Sequence, residues 1–173
     1  LEREVKRFIR NVIRRARRID ILINNAGYSN RPMRIEKLPL REFQKNVSAN
    51  LISSFLVCKY VIPILQKQNS GLIINISSMA GKRAVPLLAA YSASKFGVVA
   101  LSQSIAKENQ EVGFKCLTVC PGGMNTKMRK ILFGAEDAQK QQSADFVADI
   151  IFRVANDEIK VDGPLKLADI RAS

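Results

Sequence analysis

Apolar and polar residues follow two periods along the chain, and each period predicts a different kind of element. Near the amino terminus, apolar residues recur three or four positions apart between basic residues, which is typical of an amphipathic helix. Short uninterrupted apolar runs, beginning with residues 19–24, indicate buried strands of a parallel sheet. The sequence therefore predicts helices over residues 2–18, 40–67, 90–109 and 143–156, and strands over residues 19–24, 72–76, 115–120 and 165–170.

Several local signals refine these boundaries. Ser143 is a suitable N-cap for the helix over residues 143–156. Pro63 is expected to kink the helix over residues 40–67 or to shorten its end, because proline cannot donate a backbone hydrogen bond.

The alternation of strands and helices predicts an α/β fold. Right-handed βαβ units give a doubly wound, mostly parallel sheet, here as a single domain over residues 1–173. In such sheets, ligands bind beyond the carboxyl ends of the strands. Three loops rich in glycine and polar residues follow predicted strands, over residues 26–30, 77–86 and 121–126. We therefore expect a ligand site where these loops meet.

Composition narrows the classes of function. The 173 residues suit one domain, and no run of about 18 uncharged apolar residues occurs, so we expect no membrane span. The three cysteines form no Cys-x-x-Cys pair, and two of them on one strand would lie about 13 Å apart, too far for a disulfide. A reducing, cytoplasmic location is expected. The absence of histidine excludes Ser-His-Asp catalysis and histidine-rich metal sites, and we expect no metal.

The net charge of +13 is concentrated at the amino terminus. Only Glu2 and Glu4 oppose the basic residues there, which are Arg3, Lys6, Arg7, Arg10, Arg14, Arg15, Arg17 and Arg18. One interpretation is attraction to nucleic acid or another anionic surface. The other, which we favour, is the solvated face of an amphipathic helix, because no nucleic-acid motif accompanies the charge. We expect no nucleic-acid partner.

Tyr91 and Lys95 are the most informative candidates for chemistry. Their spacing of four residues places both side chains on one face of a helix. A neighbouring ammonium group favours the phenolate and is expected to lower the pKa of Tyr91. A phenol adjusted in this way can donate or accept a proton near neutral pH. An exposed pair on a helix surface is the alternative interpretation of the same spacing.

Ser78 and Asn50 add two further polar candidates. Ser78 ends a predicted strand 13 residues before Tyr91, and its hydroxyl could bind a carbonyl or alcohol oxygen. It could instead cap the local backbone. Asn50 lies near the inner face of the long helix and needs hydrogen-bond partners there. It could link to Lys95 through water or backbone, or it could be a satisfied core amide.

Four sequence blocks carry a resemblance to a known family. They are Asn24-Asn25-Ala26-Gly27 after a strand, Asn50-Leu51 on a helix, the stretch from Ile74 to Lys95 with Asn-Ile-Ser-Ser and Tyr-Ser-Ala-Ser-Lys, and Pro121-Gly122 with Thr126. Their order and spacing over residues 1–160 resemble the short-chain dehydrogenase/reductase family. That resemblance implies a Rossmann-like fold and an oxidoreductase that moves a hydride between a nicotinamide cofactor and a small carbonyl or alcohol substrate.

The resemblance also implies residue roles. Tyr91 is expected to be the general acid in reduction and the base in oxidation, and Ser78 to position the reacting oxygen. Lys95 is expected to lower the Tyr91 pKa and to bind the nicotinamide ribose, and Asn50 to hold a water in a proton relay. The residues expected to flank NAD or NADP, besides Tyr91 and Lys95, are Asn25, Ala26, Gly27, Pro121, Gly122, Met124 and Thr126.

The sequence departs from the family pattern at both ends. No Gly-x-x-x-Gly-x-Gly loop occurs, and one helix precedes the Asn-Asn-Ala-Gly strand where the family has three strands. We expect roughly 60 to 80 residues to be missing from a family domain of ordinary length. A naturally shortened relative that binds without catalysis is the alternative. Residues 161–164 resemble the family's Val-Asp-Gly-Gly ending but continue differently.

Two further expectations concern assembly and the exposed strand. The family resemblance implies dimers or tetramers that pair through the helices over residues 40–67 and 90–109. Without preceding strands, the strand over residues 19–24 becomes a sheet edge, which favours aggregation or strand exchange. The choice between NAD and NADP stays open, because the segment that would bind the adenosine ribose is absent.

Overall fold

The structure, a computed structural model, describes residues 1–160. Residues 79–81 form a 3-10 turn, and Val47–Ile52 form a π-helix. The helices and strands in chain order are α1 (Glu2–Ala16), β1 (Ile21–Asn24), α2 (Leu40–Asn46), α3 (Ser53–Gln68), β2 (Gly71–Ile76), α4 (Ala89–Glu108), β3 (Phe114–Val119), α5 (Lys127–Phe133), α6 (Ala135–Gln139) and α7 (Ala144–Ala155).

The three strands form one parallel sheet in the order β1-β2-β3. Ile23 of β1 lies opposite Ile74 of β2, and Ile74 lies opposite Leu117 of β3. Helices α2 and α3 connect β1 to β2, and α4 connects β2 to β3. This is the predicted α/β arrangement, and each strand is within two residues of its expected bounds.

Helices cover both faces of the sheet, as a doubly wound fold requires. One face carries a core in which α1, α3 and α4 pack on β2 and β3, centred on Val61, Leu65 and Ile73. The other face carries a smaller core in which α7 packs through Val147 and Ile150 on the same two strands. The central strand β2 is therefore apolar on both faces, which explains its run of successive apolar residues.

A buried polar chain crosses the first of these faces. The Asn24 side-chain amide donates to Asn75 Oδ1 at 2.7 Å, and the Asn75 amide donates to Ser102 Oγ at 2.8 Å. These bonds satisfy amides that burial would otherwise leave unpaired. Asn24, the first residue of the Asn-Asn-Ala-Gly block, thus joins β1 to β2 and, through Asn75, to α4.

Strand β1 lies at the edge of the sheet described by residues 1–160. Its two outward residues, Ile21 and Ile23, keep 45% and 48% of their surface exposed, while Leu22 packs against the core. Helix α7 packs on β2 and β3, so it leaves this end of the sheet uncovered. The predicted open edge is confirmed for this part of the chain.

The helical segment from Leu40 to Gln68 differs from the prediction in two ways. The helix runs five residues past Pro63 and ends at Gln68, one residue beyond its expected bound, so of the two expected effects of that proline the shortening does not occur. The segment also contains a π-helix, Val47–Ile52, that the period-3.6 pattern did not reveal. Hydroxyl groups satisfy carbonyls in this wider turn, with Ser53 donating to Ala49 O and Ser54 donating to Asn50 O.

Residues after β3 also refine the prediction. The Ser143 hydroxyl accepts a hydrogen bond from Phe146 N and caps α7, as expected. Helices α5 and α6 were not predicted, because they span only seven and five residues. The expected strand over residues 165–170 and the Val-Asp-Gly-Pro stretch over residues 161–164 lie outside the described residues.

One helical segment of the described residues, Leu40–Gln68, is long and apolar enough to cross a membrane by length and composition alone. It packs against α1, β2 and α4, and it holds the buried amides of Asn46 and Asn50. These contacts are those of a helix within a folded domain.

Candidate active site

The candidate site lies at the carboxyl edge of the sheet. Because the three strands are parallel, Asn24, Ile76 and Val119 end at the same edge, and their following loops meet there. Two backbone hydrogen bonds join the loop after β2 to the end of β3 and its following loop. Ser77 N donates to Val119 O at 2.8 Å, and Met79 N donates to Pro121 O at 2.8 Å.

The loop after β2 is fastened to helix α4. The Ser77 hydroxyl donates to Lys95 O at 2.9 Å. A Cβ on Gly81 would lie 2.6 Å from that same carbonyl oxygen and would collide with Ser77 Oγ, so only glycine allows this approach. Ser77 therefore has a structural role, and it sets the distance between Ser78 and the start of α4.

Lys95 is a buried cation at the centre of the site. Its side chain is 5% exposed, and its ammonium group donates to Ile76 O at 2.8 Å. Burial lowers the pKa of Lys95 to about 8, because the charged form loses solvation, while interaction with Cys120 acts in the opposite direction. An ammonium group has three donors, so this single bond leaves two available to a ligand.

Tyr91 lies one helical turn before Lys95, with its ring centre 5.8 Å from Lys95 Nζ. The expected lowering of the Tyr91 pKa is not found. Burial raises the pKa of Tyr91, and the Ser78 hydroxyl opposes this shift without reversing it. The prediction was wrong in direction because the spacing of four residues reveals proximity to Lys95 but not the burial of both side chains.

Ser78 is half-buried at the end of β2 and also caps the turn that follows. Its oxygen accepts a hydrogen bond from Ala80 N at 3.1 Å. The backbone-capping interpretation of Ser78 is thus correct, and it is compatible with ligand binding. The hydroxyl hydrogen stays free to be donated to another oxygen.

Asn50 lies within the π-helix, and its buried side chain makes three hydrogen bonds. Its Oδ1 accepts from Tyr28 N at 2.7 Å, and its amide donates to Tyr28 O at 2.9 Å and to Ser94 Oγ at 2.8 Å. A direct bond to Lys95 is not made. Asn50 Oδ1 and Lys95 Nζ nevertheless lie 3.0 and 3.6 Å from the point where a Cβ on Gly27 would stand.

The residues predicted to flank a cofactor fall into two groups. Asn25, Ala26 and Gly27 are exposed beyond β1, whereas Pro121 is buried and supports the loop after β3. Among residues 1–160, no atom beyond the two neighbouring residues lies within 4 Å of a Cβ built on Gly122, so this loop borders open space in the described part of the chain.

Thr126 has a structural partner that the sequence did not reveal. Its hydroxyl accepts from Arg129 N at 3.2 Å and caps α5. The threonine followed by apolar residues at positions 128, 131 and 132 was the signal for that helix.

A cavity of about 360 Å³ brings part of the predicted site together. Its wall includes Ser78, Tyr91, Gly122, Met124 and Thr126. The remaining predicted residues border the site without lining this cavity, and they are Asn25, Ala26, Gly27, Asn50, Lys95 and Pro121. A larger hollow of about 710 Å³ lies at the amino ends of the strands and contains none of the predicted residues.

Sequence reasoning missed several residues of this site. Ser94 links Asn50 to α4, since its hydroxyl accepts from the Asn50 amide and donates to Tyr91 O at 2.7 Å. Ser29 lies in the cavity wall although no motif marks it. Helix α5 supplies a further apolar part of the wall, and that helix was not predicted.

Comparisons with known proteins agree with this geometry. The family model described as short chain dehydrogenase matches residues 2–137. The chain is 40% identical over 109 residues to oxidoreductase BOA17 of Botryotinia fuckeliana, covering 63% of the chain and 39% of that protein. It is 34% identical over 127 residues to levodione reductase of Leifsonia aquatica, covering 73% of the chain and 48% of that protein.

A solved structure described as ElxO with NADP bound matches with a TM-score of 0.86 and 27% identity, over 95% of this chain and 72% of that chain. Of the two curated relatives named above, in contrast, the chain spans half or less of the length. Since the family model matches most of the sequence and the fold agrees, the chain belongs to the short-chain dehydrogenase family.

Proposed function

We propose that this protein is an NAD(P)-dependent oxidoreductase that moves a hydride between a nicotinamide cofactor and the carbon of a carbonyl or alcohol. The observation that carries the proposal is the shared cavity wall of Ser78 and Tyr91, with the buried Lys95 ammonium 5.8 Å from the tyrosine ring. The two curated relatives are an oxidoreductase and a reductase by name, which supports this reaction class.

The residues present fit the nicotinamide end of such a cofactor. Open space lies beside Gly122, and the Lys95 ammonium keeps two donors that ribose hydroxyls could accept. The bound cofactor supplies the hydride acceptor or donor. A related structure at 27% identity is described as holding NADP. We propose NAD or NADP as the cofactor, with Asn25, Ala26 and Gly27 on its adenosine side.

The protein's part in the reaction is to hold the reacting oxygen and to move one proton. Ser78 Oγ already accepts from Ala80 N, so its hydroxyl hydrogen is free to be donated to the substrate oxygen. In reduction, the Tyr91 phenol gives its proton to that oxygen as hydride reaches the carbon. In oxidation, the phenolate removes the alcohol proton as hydride leaves the same carbon.

Lys95 and Asn50 are proposed to connect Tyr91 to solvent. A Lys95 pKa of about 8 lets the ammonium release a proton near neutral pH and lets the resulting amine take one up. Asn50 Oδ1 and Lys95 Nζ both lie within 3.6 Å of the position that a Cβ on Gly27 would occupy. A water at that position would be held between the two groups. Asn50 would thus position the relay.

The experiment compares two tyrosine variants. Tyr91→Phe removes the proton donor while keeping the ring, and we expect the rate of NADH or NADPH oxidation with a panel of aldehydes, ketones and keto acids to fall about 100- to 10,000-fold. Tyr60→Phe is the matched control, since Tyr60 OH is exposed and bonds Glu2 away from the site. Equal rates in the wild type and Tyr91→Phe would refute the proposal, as would an equal loss in Tyr60→Phe.

A further inference from the structure

Two arginines, Arg83 and Arg129, lie in the wall of the cavity that also holds Ser78 and Tyr91, and they differ in their ion-pair partners. Arg129 is paired with Asp137 through two bonds, Nε to Oδ1 at 2.5 Å and Nη2 to Oδ2 at 3.1 Å. Its guanidinium also lies 4.4 Å from the ring centre of Phe133. The charge of Arg129 is therefore balanced within the protein.

Arg83 has no such partner in the part of the chain that the structure describes. No carboxylate among residues 1–160 forms an ion pair with it, and no Asp or Glu lies in the cavity wall. Its backbone N donates to Met79 O at 3.0 Å, so the turn after Ser78 fixes the backbone of Arg83. Arg83 is thus an exposed arginine of this cavity wall without an ion-pair partner among residues 1–160, and it lies a few residues from a proposed substrate-binding hydroxyl.

The rest of the wall is mostly apolar. Its apolar side chains come from the loop after β2, from the start of α4 and from α5, and they include Met79, Val85, Leu88, Met128, Leu132 and Phe133. The volume of about 360 Å³ is near the lower end for small-molecule sites. Such a wall favours a compact substrate with an apolar body.

We propose that Arg83 binds a carboxylate of the substrate, so that the protein acts on small oxo acids or hydroxy acids whose reacting carbon and carboxylate are separated by an apolar chain. A planar guanidinium matches the two oxygens of a carboxylate. The inference rests on the proposed function for the location of the reacting carbon, next to Ser78 and Tyr91. It adds the class of substrate and the residue that selects it.

The test measures binding rather than turnover, so that its outcome is independent of hydride transfer. The probes are 4-oxopentanoate, 6-oxoheptanoate and 8-oxononanoate, each paired with its methyl ester, titrated by saturation-transfer NMR with and without NAD⁺ or NADP⁺. We expect at least one acid to bind about tenfold more tightly than its ester, and this preference to fall as ionic strength rises.

Three variants distinguish a direct contact between Arg83 and the carboxylate from a general effect of positive charge near the cavity. Arg83→Gln is expected to remove the preference for the acid, and Arg83→Lys to keep part of it. Lys82→Gln is the matched control, because it removes the neighbouring positive charge outside the cavity wall, and it should keep the preference. The inference is overturned if no acid is preferred by the wild type, if Arg83→Gln keeps the preference, or if Lys82→Gln loses as much.

The two proposals fail in different ways. Loss of turnover in Tyr91→Phe together with no preference for acids would leave the oxidoreductase proposal standing and remove the role of Arg83. A preference for acids that depends on Arg83, without any hydride transfer by the wild type, would support the carboxylate site and refute the oxidoreductase.

Discussion

Lys95 is a buried cation whose protonation is set mainly by loss of solvent. Among residues 1–160, no carboxylate forms an ion pair with it, and its ammonium is held by the backbone oxygen of Ile76. A buried charge of this kind costs folding free energy, and function is a reason to retain it.

This cost predicts a pH dependence of stability. The pKa of Lys95 is about 8 in the fold and near 10.5 in the unfolded chain, so the unfolded state binds more protons between these values. Relative to Lys95→Met, the free energy of unfolding of the wild type should therefore rise from pH 8 to pH 10.5, by up to about 3 kcal/mol. Urea unfolding of both proteins across that range measures the difference.

The comparison with Lys95→Met removes the effect of the buried cysteines, whose raised pKa values act oppositely in this range. A difference between the two proteins that stays constant from pH 8 to pH 10.5 would show that Lys95 is not shifted.

At the scale of single residues, the sequence predicted which side chains lie close together but not how their pKa values shift. Residue spacing placed Tyr91 beside Lys95, and the family motifs brought in Ser78. The pKa of Tyr91 is raised, whereas the sequence predicted that it would be lowered. The cause is burial, which depends on packing by elements far apart in the chain. Arg83 could not be singled out either, since its lack of an ion-pair partner among residues 1–160 is visible only in the folded structure.

Helices α3 and α4 form the central elements of one face, and each exposes an aromatic side chain. Phe55 on α3 is 45% exposed and Phe96 on α4 is 43% exposed, while Ile52 in the π-helix is also exposed. These are the helices expected to pair in an oligomer. Apolar side chains exposed on neighbouring helices are typical of a protein interface.

We predict that Phe55→Glu and Phe96→Glu weaken self-association, because each places a charge in the proposed interface. Light scattering after size-exclusion chromatography should show a dimer or tetramer for the wild type and a smaller species for the variants. Phe152→Glu is the control, because Phe152 is exposed on α7, on the other face of the sheet. A monomeric wild type would contradict the prediction.

The prediction of elements succeeded for the strands, which are uninterrupted apolar runs, and for helices with a long periodic pattern. The strands and the helices α1, α4 and α7 lie within about two residues of their expected bounds. Pattern alone failed at the π-helix, where hydroxyl groups of Ser53 and Ser54 satisfy carbonyls that a regular helix would pair itself. It also failed at α5 and α6, which are too short to show a period.

At the scale of the whole molecule, the described residues combine a candidate site with an open sheet edge. Ile21 and Ile23 leave one side of β1 exposed among the described residues, and the chain covers half or less of the two curated relatives. The basic face of α1 lies outward, and Arg3, Arg7, Arg10 and Arg14 form no ion pairs within residues 1–160. A solvated face remains our interpretation of this charge.

The proposed reaction is tested most directly by following the hydride itself. The protein is incubated with each member of the panel of aldehydes, ketones and keto acids and with NADH or NADPH carrying deuterium at the transferring position, and the products are analysed by mass spectrometry. We predict one deuterium on the new carbinol carbon, with the labelled product forming about 100- to 10,000-fold more slowly in Tyr91→Phe than in the wild type. A reduced product without deuterium, or labelled product formed at the same rate by Tyr91→Phe and the wild type, would contradict hydride transfer with Tyr91 as the proton donor.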